Sequence, residues 1–357
     1  MKKILVIAIA VQLFFSGCIK QVDVKTRNEK PILVVEGGVT TDSVPYTVKL
    51  SYSGPFTITS IPDEYIEKNA SVTITDDLGN TTKLVHSDQG IYQTTDSDYI
   101  GKVGRSYSVI IELENGKKYV SIPEKISPPV PISNINVQYN FGFPSYFAVY
   151  IDANDPAGEE NYYKWSFYSW DPRKTHGLPC AWNPTCRVFD RCLQKFTNPD
   201  LNILSDAAIN GNTIKEQLMG YSYIYDYGKH YIDISQSSVT CEAYQFFERL
   251  KDQQTRTGHI LDPLPASVKG NIYNAADSND FALGYFSASS DTHERKVLVP
   301  YSITRYLLDA TAVEFIPEGD KICFKAFPNT IPYGLYPDLQ NPPPPGWENA
   351  EIIKMYW

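Results

Sequence analysis

Apolar and polar side chains alternate with period two in short runs through the first third of the chain, the pattern of strands with one face in a core and one in water. Ile32-Leu33-Val34-Val35-Glu36-Gly37-Gly38-Val39 opens the series, Tyr46 to Tyr52 and Ala70 to Thr75 continue it, and Asp76-Asp77-Leu78-Gly79-Asn80 closes the third run in a turn. Tyr107 to Leu113 and Lys118 to Ile122 flank Asn115-Gly116, a pair suited to a tight primed hairpin turn. Short strands separated by turn residues predict an immunoglobulin- or transthyretin-like β-sandwich over residues 31–126. Pro123 and then Ser127-Pro128-Pro129-Val130-Pro131 remove ladder donors and stiffen the chain, which puts a domain boundary near residue 127.

Alternation resumes at Ile135 to Tyr139, Tyr146 to Asp152 and Tyr162 to Tyr168, predicting a second β-rich, fibronectin-like domain over 132–357. An insertion over 171–205 carries three cysteines and several turn residues. A helix is expected over about 241–255, where Ala243, Phe246, Phe247 and Leu250 recur at helical spacing, and it should pack on a sheet. Asn279 to Ala288, Lys296 to Val299 and Lys321 to Lys325 read as later strands. Pro342-Pro343-Pro344-Pro345-Gly346-Trp347 reads as an extended surface tail.

The N-terminus has another character. Lys2-Lys3, an apolar run from Ile4 to Phe15 and then Ser16-Gly17-Cys18 follow the order of a secretory signal, and the run is too short to span a bilayer as a helix. Phe15-Ser16-Gly17-Cys18 resembles a bacterial lipobox with Phe in place of the usual aliphatic residue. Residues 1–17 are therefore expected to be removed, Cys18 to be lipidated, and residues 18–30 to serve as a tether. The absence of Asp after the cysteine favours the outer membrane, with the periplasmic and outward faces both open. Attached acyl chains at about 0.8 kcal/mol per buried methylene make such an anchor stable.

Composition narrows the chemistry. Removing Lys2 and Lys3 with the signal takes the net charge from -9 to -11, and no basic stripe is present, so nucleic-acid binding is not expected. The 26 Tyr against 3 Met suit a half-wet pleated surface. No nucleophile elbow, zinc-protease helix or phosphate loop occurs, the five histidines are scattered, and neither an enzyme nor a cofactor is expected. Dispersed acidic pairs leave a hydrolase as the lesser alternative. In an oxidising compartment Cys180, Cys186, Cys192 and Cys241 are the disulfide candidates, with connectivity open and Cys323 left over. Asp152, Asn154, Asp155 and Glu159 offer oxygens at spacings a calcium ion could use, though a solvated turn explains them too. Trp165, Trp170 and Trp182 are candidate stacking surfaces for a glycan or peptide.

Gly258 to Tyr273, with its Asp262-Pro263, Leu264-Pro265 and Gly270-Asn271 steps, followed by Leu283-Gly284-Tyr285-Phe286-Ser287-Ala288-Ser289, resembles the outer-membrane lipoproteins of the domain of unknown function 4249 family. The order of lipobox, N-terminal β-domain and this block agrees over nearly the whole chain. The resemblance implies association with TonB-dependent receptors. A non-catalytic accessory or substrate-capturing partner of such a transporter is thus the expected function, with a stand-alone glycan- or peptide-binding lipoprotein as the alternative.

Overall fold

The computed structural model describes residues 31–42, 44–54, 62–174, 178–180, 183–224, 229–256, 267–277, 279–300, 307–308, 313–318, 321–326, 338–339 and 351–355, with side chains described outside 172–192 and up to residue 298. The signal, Cys18, the tether, Trp182, the stretch from Gly258 to Ala266 and the polyproline tail lie outside the described residues.

Period-two alternation becomes β1 (Leu33–Thr40), β2 (Thr47–Tyr52), β3 (Ser71–Asp76), β4 (Thr81–Asp88), β5 (Ile91–Thr94), β6 (Ser106–Glu112), β7 (Lys118–Ser121) and the short β8 (Glu124–Lys125). The next stretch holds β9 (Ile132–Asn140), β10 (Ser145–Asn154), β11 (Tyr162–Lys174), β12 (Leu178–Cys180), β13 (Asn183–Thr197), β14 (Asn202–Ser205), β15 (Thr213–Ile224) and β16 (His230–Val239). Then come helix α1 (Cys241–Arg256), β17 (Lys269–Asn274) and β18 (Phe281–Pro300). β19 (Leu307–Leu308), β20 (Val313–Glu318), β21 (Lys321–Ala326), β22 (Asp338–Leu339) and β23 (Glu351–Met355) complete the described chain.

The expected N-terminal sandwich is instead a closed, barrel-like ring of nine strands. Pairing runs β1–β2–β5–β4–β3–β6–β7, continues through β17 and β18, and returns to β1, which lies parallel to β18. Two strands from far along the chain thus cover both edges that a seven-stranded sheet would leave unpaired. Alternation sends Leu33, Val35 and Val39 inward to meet Val48, Leu50, Ile74, Val109 and Ile111, and β17 and β18 add Ile272, Ala282 and Phe286 to the same core. The turn at Asn115-Gly116 also departs from the primed form: only Gly116 takes a positive φ (81°), and Leu113 N–H closes the loop on the Lys117 carbonyl at 2.9 Å.

A second body faces a three-stranded sheet, in the order β15, β10, β9, against β11 and β16. Between them lie Phe147, Val149, Ile151, Tyr163, Trp165, Phe167, Ile232 and Ile234. The strands expected near 279–288 and 296–299 are one strand of 20 residues. Its first half belongs to the barrel, and from Ser290 onward it pairs with β16. α1 starts where expected, capped by Thr240 Oγ1, which accepts from Ala243 N–H at 3.2 Å. It packs on the barrel wall through Phe246, stacked on Tyr285 at 4.9 Å between ring centroids.

Closure depends on glycine and one amide. β17 meets β18 with Lys269 opposite Leu283 and Tyr273 opposite Phe281, so four steps on one strand match two on the other. The bulge needs Gly284 at φ +85°, and a Cβ there would lie 2.0 Å from the Val35 carbonyl oxygen. Gly270 lies so close to β18 that its Cβ would be 1.5 Å from the Gly284 oxygen, so only glycine permits this strand contact. Asn271 fills the gap in the ladder, its Nδ2 donating to the Phe286 carbonyl at 2.8 Å and its Oδ1 accepting from Phe286 N–H at 3.0 Å. Glu124 is buried alongside, accepting from Tyr285 Oη at 2.5 Å, from Asn271 Nδ2 at 3.4 Å and from Thr240 Oγ1. Burial pushes its carboxyl above the usual range, against the bonds from Thr240 and Tyr285.

Candidate functional site

α1 lies over the outer face of β1 and β18 and leaves a cleft of about 840 Å³. Apolar and aromatic groups of α1, Phe246, Phe247 and Leu250, line it together with Tyr285, and the Gly37-Gly38 step of β1 presents bare backbone to it. A Cβ on Gly38 would stand 2.5 Å from the Ser287 carbonyl oxygen, which is why β1 passes without a side chain there. Lys164 of β11 reaches the same space, its ammonium 4.5 Å from the Phe247 ring centroid. Burial pushes that ammonium below the ordinary lysine range, against the pull of Asp291. The volume is that of a small-molecule pocket, and the lining is mixed, with an apolar wall on α1 and polar or charged groups from β1, β11 and β18.

Asp42 and Asp291 also line the cleft, and His293 stands beside them. These three form the only His/Cys/Asp/Glu group of metal-binding reach among the described residues. His293 Nε2 contacts Asp42 Oδ2 at 2.6 Å, while Nδ1 faces Asp233 at 3.4 Å. Asp233 is 2% exposed and also receives Arg295 Nε at 2.5 Å and Tyr168 Oη at 3.1 Å. The Asp233 carboxylate, working against burial and helped by Asp42, pushes the His293 pKa up to about 9, so at neutral pH a proton occupies the nitrogen a metal would need. The cluster is therefore an imidazolium held between two carboxylates.

Other sequence-predicted residues are dispersed. Trp165 is 3% exposed, with its indole N–H on Gln236 Oε1 at 2.8 Å, and Trp170 is half-buried, so neither offers an open stacking face. Asp152 accepts from Glu216 N–H and Asn134 Nδ2, and Asn154 from Thr213 Oγ1, while Glu159 is exposed; the predicted calcium set does not converge. Cys241, one of the disulfide candidates, carries a free thiol that accepts from Gln245 Nε2 at 3.4 Å. Cys180 falls on β12 and Cys186 on β13, whereas Cys192 of β13 stands directly opposite Cys323 of β21. Ser222, His230 and Asp171 meet in the core, all 0% exposed. Ser222 Oγ and Asp171 Oδ1 both approach the same ring nitrogen, Nδ1, at 2.9 and 3.2 Å. A nucleophilic relay places serine and acid on opposite nitrogens, so this triplet is a structural tie.

An aromatic surface that the sequence reading missed lies on the outer face of the three-stranded sheet. Tyr146 pairs across the strands with Tyr223 and Ala148 with Tyr221, and Tyr146 meets both tyrosine rings edge-on at 5.9 and 5.0 Å. On the other side the same register sets Asn140, Gln138 and Asn136 opposite Tyr146, Ala148 and Tyr150. A row of amides thus runs beside a patch of phenols.

The fold is that of a mainly-β protein built on a nine-stranded barrel, with a cleft where its one described α-helix crosses the barrel wall. The family model described as domain of unknown function (DUF4249) matches residues 19–295, and the chain belongs to that family. Among curated proteins nothing matches the chain.

Proposed function

We propose that the protein is a non-catalytic lipoprotein of the outer membrane that captures a small ligand in the cleft and presents it to a TonB-dependent receptor. The cleft carries this reading: its wall of Phe246, Phe247 and Leu250 would hold an apolar body, while Lys164 beside Phe247 would meet an acidic or polar group. The lipobox at Cys18 supports the anchor, and the choice of partner rests on the receptor association that the sequence resemblance implies. In the same oxidising compartment Cys192 and Cys323 are the pair expected to bridge.

The test is co-purification from detergent-solubilised membranes, followed by native mass spectrometry. The unmodified protein should carry a small molecule and recover a receptor barrel. Phe247→Ala should lower ligand occupancy about tenfold while keeping the melting temperature, as for a buried aromatic anchor. Recovery of neither ligand nor receptor refutes the reading.

The tyrosine and amide face favours a second reading, a stand-alone glycan-binding lipoprotein, because phenol rings stack on sugar faces and amides hydrogen-bond sugar hydroxyls. Glycan arrays probed with the unmodified protein and with Tyr221→Ala distinguish it, since only this reading expects binding that needs no partner and is lost with that ring.

A further inference from the structure

The loop after β10 and the segment between β14 and β15 are laced together at one end of the three-stranded sheet. Asp155 N–H donates to the Asn212 carbonyl at 3.2 Å, Gly211 N–H to Asp155 Oδ2 at 2.8 Å, and Gly158 N–H to Asn210 Oδ1 at 2.9 Å. Asp206 lies within this lacing, 0% exposed, and neither of its carboxyl oxygens meets a donor at full hydrogen-bond geometry, although the Asn161 backbone N–H and the Asp155 carboxyl lie close to it. Its own N–H donates to the Asn161 carbonyl at 3.1 Å, which sets Asn161 beside it, and Asn161 Oδ1 is also buried without a donor. The Asp206 carboxyl lies against that of Asp155.

We propose that Asp155, Asp206 and Asn161 bind a calcium ion through their side-chain oxygens. A carboxylate wholly removed from water costs several kcal/mol unless a charge or donors compensate it. Two compensations are available: a proton shared between the two acids, or a cation. One proton satisfies a single acceptor and leaves Asn161 Oδ1 unmet. One cation meets all three residues at once. Asp155 is held in place for this, since Tyr163 Oη donates to its Oδ1 at 2.5 Å and Gly211 N–H to its Oδ2, and each oxygen keeps a lone pair. An all-oxygen set on two separate connections suits calcium, which tolerates irregular geometry and takes its remaining ligands from water. Burial raises the Asp206 carboxyl above its usual range, against the bond from Asn161 N–H and with the neighbouring Asp155 adding to the rise, the state expected when no cation is bound.

The experiment is thermal melting of the full processed protein after EDTA treatment, with calcium or magnesium restored. It is paired with terbium luminescence sensitised by Tyr163. Calcium at about ten times its Kd should raise Tm by about 3 °C, with a smaller effect of magnesium. Terbium emission should fall as calcium is added. Asp206→Asn should abolish both responses, and the exposed Glu159→Gln should keep both. No calcium shift in the unmodified protein, with Asp206→Asn as stable as the parent, means that the acids share a proton and overturns the proposal. If Asp206→Asn does not fold, the responses of the unmodified chain decide alone.

Discussion

Replacing Asn271 by alanine removes the side chain that stands in for backbone at the barrel closure. The amide makes two bonds to Phe286, one at 2.8 Å to its carbonyl and one at 3.0 Å from its N–H, and Phe286 is 0% exposed. Alanine leaves both backbone groups buried without partners, each at a cost of about 1–3 kcal/mol. The contact to Glu124 is lost as well, so the total penalty is about 2–6 kcal/mol. Against a typical stability of about 5–15 kcal/mol this is a large fraction. Urea denaturation should show a lower midpoint with an unchanged m-value, because the surface exposed on unfolding stays the same. Asn274→Ala is the comparison: that side chain lies on the same strand and makes two local bonds, to Asp280 and from Ala276, in a part-buried setting, and its cost should be smaller. A loss below about 1 kcal/mol for Asn271→Ala would refute the view that this amide completes the ladder.

Two further outcomes follow from charge and from strand register. The His293 pKa, about 9, lies above its unfolded value near 6.5, so its pairing with Asp233 and Asp42 contributes stability that is complete below about pH 6.5 and lost as pH rises through 9. His293→Gln should flatten the stability profile across that window, as followed by melting temperature; a profile identical to the parent's refutes the ion-pair reading. Opposed residues of an antiparallel pair have Cα atoms about 4.5–5.5 Å apart, within the range a disulfide spans, so peptide mapping of protein exported to an oxidising compartment should recover residues 192 and 323 cross-linked. Complete alkylation of Cys323 without reduction would exclude that bridge.

The two kinds of structure in this chain differ in how far they can be read from local pattern. β1, β2, β3, β6 and α1 follow directly from period-two and helical spacing, because each needs only its own residues to display one apolar face. Ring closure does not, since β17 and β18 join strands some 150 or more residues away, and the pairing leaves no periodic trace. What it does leave is glycine where two backbones must touch, at Gly270 and Gly284, and an amide where the ladder breaks, at Asn271. Those residues belong to the block that carries the family resemblance, so closure of the barrel explains the described part of that block. Trp165 shows the opposite problem. The run Tyr162 to Tyr168 is aromatic on both parities, and only contact with Ile232 and Ile234 decides that Tyr163, Trp165 and Phe167 turn inward. The cleft draws Asp42, Lys164, Phe247 and Asp291 from four separate segments, so no motif could announce it. One local signal was available: every residue of β18 from Ser289 to Lys296 is polar, between a mainly apolar start at Phe281 to Phe286 and the apolar Val297 to Val299. The buried Asp233 needs counter-charges, and the partly exposed His293 and Arg295 of this run supply them, with Asp42 on the other side of His293. An unbroken polar run inside a strand with apolar ends is therefore the feature that locates the charged end of this cleft.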